Sequence, residues 1–356
     1  MTMTYGVGIL GSGPGVVALH LPTLGHLRNE FQVVHIADGG SGRARGLAAA
    51  TGARVSIGET ELLADTDVDV VLVCSSPEHH SRQVRAAAAA GKRAVLCEKP
   101  LALSPNEVRE VIDDCRASGT VLMVGTNHYY DPAWRQARKH LAESASGVQA
   151  VSVTVAVPPN HRYHEVVSQQ ADLLAAASAA AAATRPPRPD LSDPAIAAHL
   201  VGLLLTGLAV HDLPALREIA PAFERVVYAR ALPPVGYAVG YLASGVLVQL
   251  TGVMVPGGAD VLWRMALTTT DERVEVEFPP AFVHPGGGRV RVRGGDGLRT
   301  EYTRGREDGY LTEWMALGDL LSHPTSVDYG ALEADAIYVM LIANGAAEFI
   351  LQEARR

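Results

Sequence analysis

Lysine is scarce in this chain. Of thirty basic residues only Lys92, Lys99 and Lys139 are lysine; the rest are arginine. An ammonium gives up its proton when its surroundings favour that, whereas a guanidinium in practice does not. A lysine kept among so many arginines is therefore a candidate for proton chemistry. Cysteine is scarce as well. Cys74, Cys97 and Cys115 show no CxxC spacing, which argues against a disulfide framework or a zinc site and fits a reducing compartment. No histidine–carboxylate cluster has metal-ligand spacing, and no GxSxG or paired-acid motif occurs, so no metal is expected. Excess positive charge is missing too: the formal net charge is -8 at pH 7, and nothing in the totals calls for a nucleic-acid partner. The opening MTMTYGVGILGSG lacks a basic leader and reads as a first strand rather than a signal peptide. The longest apolar run, AIAAHLVGLLLTGLAV at 195–210, reads as too short for a bilayer and contains His199. What is left is a cytoplasmic, enzyme-sized protein of 356 residues. That length exceeds one ordinary core, and two domains are expected, 1–125 and 126–356.

Up to about residue 125, β-rich runs alternate with alanine-rich helical ones. YGVGIL, FQVVHIAD, VDVVLVCSS, RAVLCEK and VLMVG are strand candidates. Helical patterns lie between them, such as GRARGLAAAT, HSRQVRAAAAAGK and SPNEVREVIDDCRASG, the last opened by Ser104 with Glu107 three residues on. Continuous apolar strands separated by helices predict a doubly wound parallel sheet covered on both faces. Beyond Asp131 the pattern changes. A helix (PAWRQARKHLAE) and a strand (VQAVSVTVAVP) precede an irregular stretch to about 192, whose QADLLAAASAAAAAT is a solvent-side helix or a flexible insertion. A helix is expected from Asp193 to about Ile219. ERVVYARAL, YLASGVLVQLTGVMV, VLWRMALTTT, RVEVEFP, RVRVRG and RTEYTR then read as strands of a mostly antiparallel sheet, before a helical close from Tyr310.

Two stretches carry chemistry. In GILGSGPGVVALHLPTL, Gly11 and Gly13 fill the first two places of GxGxxG: one permits a tight turn, the other a close backbone approach to a pyrophosphate. The third place is Val16, with Gly15 one residue early. Asp38 ends the second strand at the distance where a carboxylate binds the adenosine ribose hydroxyls, which favours NAD; Gly39, Gly40, Ser41 and Arg43 leave NADP open. The second stretch is AVLCEKPLAL at 94–103, where an apolar strand stops at Cys97 and Glu98, Lys99 and Pro100 follow without a spacer. Strand ends at the carboxyl edge of such a sheet are where ligands bind.

With these residues the chain resembles the glucose–fructose oxidoreductase / inositol dehydrogenase / rhizopine-catabolism (Gfo/Idh/MocA) oxidoreductases. GILGSGPGVVALHLPTL is similar to that family's cofactor loop, including its HLPxL ending. CSSPEHHSRQVRAAAAAGKRAVLCEKPLALS is similar to its third-strand, helix and EKP segment, and GTNHYYDPAWRQAR to the stretch opening its second domain. The resemblance implies an α/β fold with a Rossmann sheet, then an α+β domain with a large open sheet that commonly pairs copies into dimers or tetramers. It implies cofactor contacts from Ser75, Ser76, His80, Glu98 and Asn127, a cis Lys99–Pro100 bond, and Lys99 facing a polyhydroxylated substrate. Desolvation and an oxidised nicotinamide would lower the Lys99 pKa toward a useful range.

One departure stands out. The family carries Asp and His one turn apart on a helix of the second domain; the matching helix here is VGLLLTGLAVHDLPALREI, with His211 in the His place. Gly207 stands where the Asp should be, and Pro214 where a later Asp is frequent. Adjacent helical residues project about 100° apart, so Asp212 does not substitute for either. Either His211 and Lys99 suffice, with His128, Tyr129, Tyr130 or the segment NHRYHE (Tyr163 included) supplying the lost contact, or the site no longer performs ordinary alcohol oxidation. The expected function is NAD(P)-dependent interconversion of a secondary alcohol and a ketone on a sugar or cyclitol. The rivals are a non-catalytic nucleotide-binding regulator, and an enzyme using tightly bound NAD for a lyase, epimerase or imine-reducing step.

Overall fold

Six parallel strands build the first sheet: β1 Tyr5–Leu10, β2 Phe31–Asp38, β3 Arg54–Ile57, β4 Val70–Val73, β5 Ala94–Glu98 and β6 Val121–Gly125. Their order, β3-β2-β1-β4-β5-β6, is the doubly wound Rossmann arrangement with its switch between β1 and β4. The computed structural model describes residues 4–356 apart from 145, 160–188, 259–260, 280–285, 296 and 303–304. β1 and β4 are buried along their whole length, as strands covered on both faces must be. Each such Val, Leu or Ile contributes about 1.5–3 kcal/mol by leaving water. β3 was not foreseen. It has four residues at the sheet edge, of which only Ser56 is buried.

A π-helical turn, Val16–His20, leads into α1 Leu21–His26 after the glycine loop. The other helices of this half are α2 Arg43–Thr51, α3 Thr60–Ala64, α4 Pro77–Ala89 and α5 Pro105–Ser118. Ser104 caps α5 as expected: its Oγ accepts from Glu107 N at 3.3 Å, while the Glu107 carboxylate takes the Leu103 N–H at 3.0 Å.

The second sheet has eight strands, β7 Ala150–Val157, β8 Phe223–Leu232, β9 Gly236–Ala243, β10 Val246–Met254, β11 Leu262–Thr268, β12 Glu272–Glu277, β13 Arg289–Gly294 and β14 Arg299–Tyr302. Their order is β14-β13-β12-β11-β7-β10-β9-β8, antiparallel throughout except β7 with β10. YLASGVLVQLTGVMV is two strands, not one. Ser244 (φ 50) and Gly245 (φ 75) fold it into a two-residue hairpin whose left-handed residues match the strands' twist. The remaining helices are α6 Asn127–Tyr130, α7 Pro132–Glu143, α8 Pro194–Gly207, α9 Leu213–Ile219, α10 Gly309–Ser322 and α11 Tyr329–Glu353.

The helix expected over Asp193–Ile219 is broken. α8 ends at Gly207, Leu208 follows with a widened φ of -116, and Ala209–His211 forms a 3-10 turn before α9. The stretch Pro194–His211, with 18 residues and mean hydropathy 1.6, also reaches the length and apolarity of a membrane span, as does Tyr329–Glu353 at 1.5. Read as too short, the first of them falls within the spanning range. Here Ala197, Val201 and Leu205 from α8, and Tyr338, Val339 and Ile342 from α11, pack into the second sheet's core.

Among the described residues the chain forms two compact units. One holds residues up to Gly125 together with Glu313–Ile337; the other runs from Thr126 to Thr312 and takes in Tyr338–Arg356.

Candidate active site

In the first unit, the loop after β1 has the shape a dinucleotide needs. Gly11 sits at φ +119, and a Cβ there would meet the Cys74 carbonyl oxygen at 2.2 Å, so only glycine closes this turn against the end of β4. A Cβ at Gly13 would meet nothing within 4 Å, leaving room for a pyrophosphate. Gly15 packs ordinarily, its Cβ position 3.6 Å from the Cys74 sulfur. At the end of β2 the Asp38 carboxylate accepts from Ser12 Oγ (2.8 Å), Ser41 Oγ (2.5 Å), Gly40 N (2.8 Å) and Ala44 N (3.2 Å). Burial alone would raise its pKa. The Ser41 and Ser12 hydroxyls and the two N–H groups outweigh that and bring it from 3.8 to about 2. Three of the four donors converge on Oδ2, so Oδ1, with one donor, has capacity for a ribose hydroxyl. An ionised Asp38, the Gly11 turn and the space at Gly13 fit the adenosine and pyrophosphate of NAD.

The depressed Asp38 pKa has a stability consequence with a definite sign. The folded state holds this proton less tightly than the unfolded chain, so Asp38 stabilises the fold above pH 4 and loses that contribution as pH falls toward about 2. Denaturant unfolding at pH 6, 4 and 2.5 is expected to show a shallower acid loss in Asp38→Asn than in the unmutated chain; parallel curves would refute it.

At the end of β5 the strand hands over to Glu98, Lys99 and Pro100, with the Lys99–Pro100 peptide cis as expected. Glu98 Oε1 lies 2.9 Å from His20 Nε2, and its other oxygen accepts the Lys99 N–H at 3.3 Å. Burial pushes the Glu98 pKa up, but the His20 hydrogen bond and the nearby positive charge of Lys99 leave it below the ordinary carboxylate value. Burial lowers the Lys99 pKa, and the charge of Glu98 offsets only part of that drop. His80 reaches this turn from α4: Nδ1 is 2.7 Å from the Pro100 carbonyl and Nε2 3.0 Å from that of Ser75. Ser75 Oγ donates to Gln83 at 2.6 Å, and Ser76 starts α4 as its N-cap residue. His20 was not singled out from the sequence, although it lies in the HLPTL stretch; nothing local marks it, because its partners are 78 and 294 residues away.

In the second unit, His211 Nδ1 donates to Asn127 Oδ1 at 2.7 Å, which makes Nε2 the basic nitrogen of its ring. The side chain is 9% exposed, with Trp263 edge-on at 5.6 Å. Next to it Asp212 is fully buried and turned inward, accepting from His128 Nδ1 (2.9 Å) and Trp263 Nε1 (2.9 Å). His128 is itself sealed, stacked on Phe278 at 3.9 Å and only 1% exposed. A side chain in that position holds Asp212 rather than reaching solvent. Tyr130 packs edge-on against Tyr129, and its carbonyl accepts from Thr312. Gly207 is exposed at the end of α8, and the break after it removes the one-turn relation to His211 that a continuous helix would have given. Tyr163 and the rest of NHRYHE lie outside the described residues. Among the described residues no group of three or more His, Cys, Asp or Glu side chains could hold a metal ion.

Residues 5–126 match the family model described as oxidoreductase family, NAD-binding Rossmann fold, of the Gfo/Idh/MocA group. Inositol 2-dehydrogenase 2 of Saccharopolyspora erythraea is 35% identical over 147 residues, which are 41% of this chain and 43% of that protein. A 1,5-anhydro-D-fructose reductase of Ensifer adhaerens is 45% identical over 89 residues, 24% of this chain and 26% of that protein. The chain thus spans about half or less of the curated relatives it matches. Over nearly its full length it shares its fold with a 3-ketoreductase from Actinomadura kijaniata solved with NADP and TDP-benzene (TM-score 0.73, 18% identity, 96% of this chain and 98% of that one). The UDP-N-acetylglucosamine 3-dehydrogenase of Acidithiobacillus ferrooxidans is similar in the same way (TM-score 0.72, 16% identity, 98% and 100%). The glycine turn, Asp38 and the Glu98–Lys99–Pro100 strand end all lie within the segment, residues 5–126, that matches the Gfo/Idh/MocA family model.

Proposed function

We propose that the chain is an NAD(P)-dependent oxidoreductase that interconverts a secondary alcohol and a ketone on a sugar, cyclitol or sugar-bearing metabolite. One observation carries this reading: a partly buried lysine with a lowered pKa stands beside an ionised carboxylate at the carboxyl edge of a doubly wound sheet. A bound nicotinamide dinucleotide supplies the two-electron redox chemistry. Gly11, Gly13, Gly15 and Asp38 hold its adenosine half, and Ser75, Ser76, His80, Glu98 and Asn127 serve the remainder. Lys99 polarises the reacting oxygen and exchanges its proton; His211, through Nε2, is the general base during oxidation. His128 and Asp212 hold the turn that carries His211, and Tyr130 and Tyr163 contact substrate hydroxyls. Residues 1–125 bind the nucleotide, and 126–356 bind substrate and pair copies into a homodimer or homotetramer through the second sheet, on which Val227, Tyr228 and Leu262 are exposed. The three free thiols fit a cytoplasmic setting.

The test is direct. Added to the purified chain with NAD, a panel of polyols, cyclitols and nucleotide sugars is expected to produce reduced nicotinamide in step with ketone. Product formed while the cofactor stays oxidised overall would favour the lyase or epimerase reading; no change with any compound would favour a regulator, as the missing carboxylate at Gly207 hints. NAD is expected to bind more tightly than NADP because Asp38 repels a 2′-phosphate. Asp38→Ala should weaken NAD more than NADP, and equal losses would undo the preference.

A further inference from the structure

Three side chains from distant parts of the first unit make a directional chain that ends at Lys99. The Trp314 indole N–H donates to His20 Nδ1 at 3.2 Å. An indole nitrogen can only donate, so His20 Nδ1 must accept, and the ring carries its proton on Nε2. That Nε2–H points at Glu98 Oε1, 2.9 Å away. Glu98 in turn precedes Lys99 and accepts its backbone N–H. Both His20 and Trp314 are fully buried, with Phe31 edge-on against the indole at 5.1 Å, so neither ring is free to turn. A Cβ at Gly125 would lie 3.3 Å from the Glu98 carboxyl, so β6 closes the other side.

We propose that Trp314 and His20 are positioning residues for Lys99: the indole fixes the imidazole as a one-way N–H donor to the Glu98 carboxylate, and the carboxylate so held orients and charges the environment of the lysine. The inference rests on Lys99 being the proton-exchanging group of the proposed reaction. The charged and titratable groups facing this carboxylate are His20 from the turn after β1, Lys99 beside it, His80 from α4, and the thiols of Cys74 after β4 and Cys97 on β5; Cys74 also faces the lysine. Of these only His20 donates a side-chain hydrogen bond to Glu98 in the described structure. A bond from N–H to a buried carboxylate favours its ionised form by an amount worth about one to two pH units.

The scarcity of lysine makes the test clean. Reductive methylation of the full chain with 13C-formaldehyde labels three lysines and the N-terminus, and the Lys99 resonance is the one lost in Lys99→Arg. Its shift senses the ionisation of the adjacent Glu98. In the unmutated chain that inflection is expected below the ordinary carboxylate range. In His20→Phe, which keeps a buried ring but removes the donor, it should rise by about one to two pH units. Trp314→Phe should give a smaller rise, since His20 is then able to carry its proton on either nitrogen. His20→Gln, which can donate again, should restore much of the original position. An inflection that stays put in both His20→Phe and Trp314→Phe overturns the proposal. If His20→Phe does not fold, Trp314→Phe and His20→Gln decide it alone. The outcome is separable from the function itself: a moved inflection with no turnover in any variant sinks the oxidoreductase reading and leaves the positioning chain standing. An unmoved inflection with Lys99-dependent turnover does the reverse.

Discussion

Lys99→Ala is expected to cut turnover by about 10²–10⁴-fold, the range over which a positioned acid–base group contributes. The NAD dissociation constant should stay within several-fold of the unmutated value, because the contacts proposed for the adenosine half are the β1 loop and Asp38, and Lys99 hydrogen-bonds to neither. Burial has already lowered the lysine's pKa from 10.5, with Glu98 restraining the fall, so the group titrates closer to working pH than a surface lysine does. That balance is what an arginine cannot reproduce. Lys99→Arg keeps a cation at the strand end but cannot release a proton, and it should be nearly as inactive as the alanine variant. Steady-state rates and cofactor titrations on both variants check this. Turnover within a few-fold in Lys99→Ala would remove the lysine from the mechanism. Near-complete recovery in Lys99→Arg would reduce its role to that of a fixed charge.

How far the sequence discloses this arrangement depends on how local the physics is. β4 and β5 are legible because strands buried on both faces are apolar without interruption, and the polar residues after Cys97 mark the end of one of them. β3 is not, because a four-residue edge strand with one buried serine carries no apolar pattern. What holds it is lateral: His35 from β2 lies 3.0 Å from Ser56 Oγ and 2.8 Å from Asp65. The break after α8 is also hidden. Leu208 to Leu213 is an apolar run with one polar pair, which an unbroken helix would accommodate; the turn forms where Asp212 is drawn inward by Trp263 and His128, residues 51 and 84 positions away. The Trp314–His20–Glu98 chain escapes notice for the same reason. Motifs report spacing along the chain, and these contacts are between segments.

His211 provides the second large expected effect. Its Nδ1 donates to Asn127, so which nitrogen of the ring is basic is fixed by a neighbour rather than by chance. His211→Ala should lower the rate of oxidation by about 10²–10⁴-fold. Asn127→Ala, which leaves the imidazole but frees its tautomer, should lose less, and Asn127→Asp should recover part because a carboxylate accepts from Nδ1 equally well. The decisive measurement is the pair. If Lys99 and His211 act in one proton-transfer step, the double alanine variant will be hardly slower than the worse single variant, because a step that has lost one member has little left for the other to contribute. Losses that multiply would mean that the two residues serve separate events, and a His211→Ala enzyme with unimpaired turnover would make the imidazole part of the packing around Trp263.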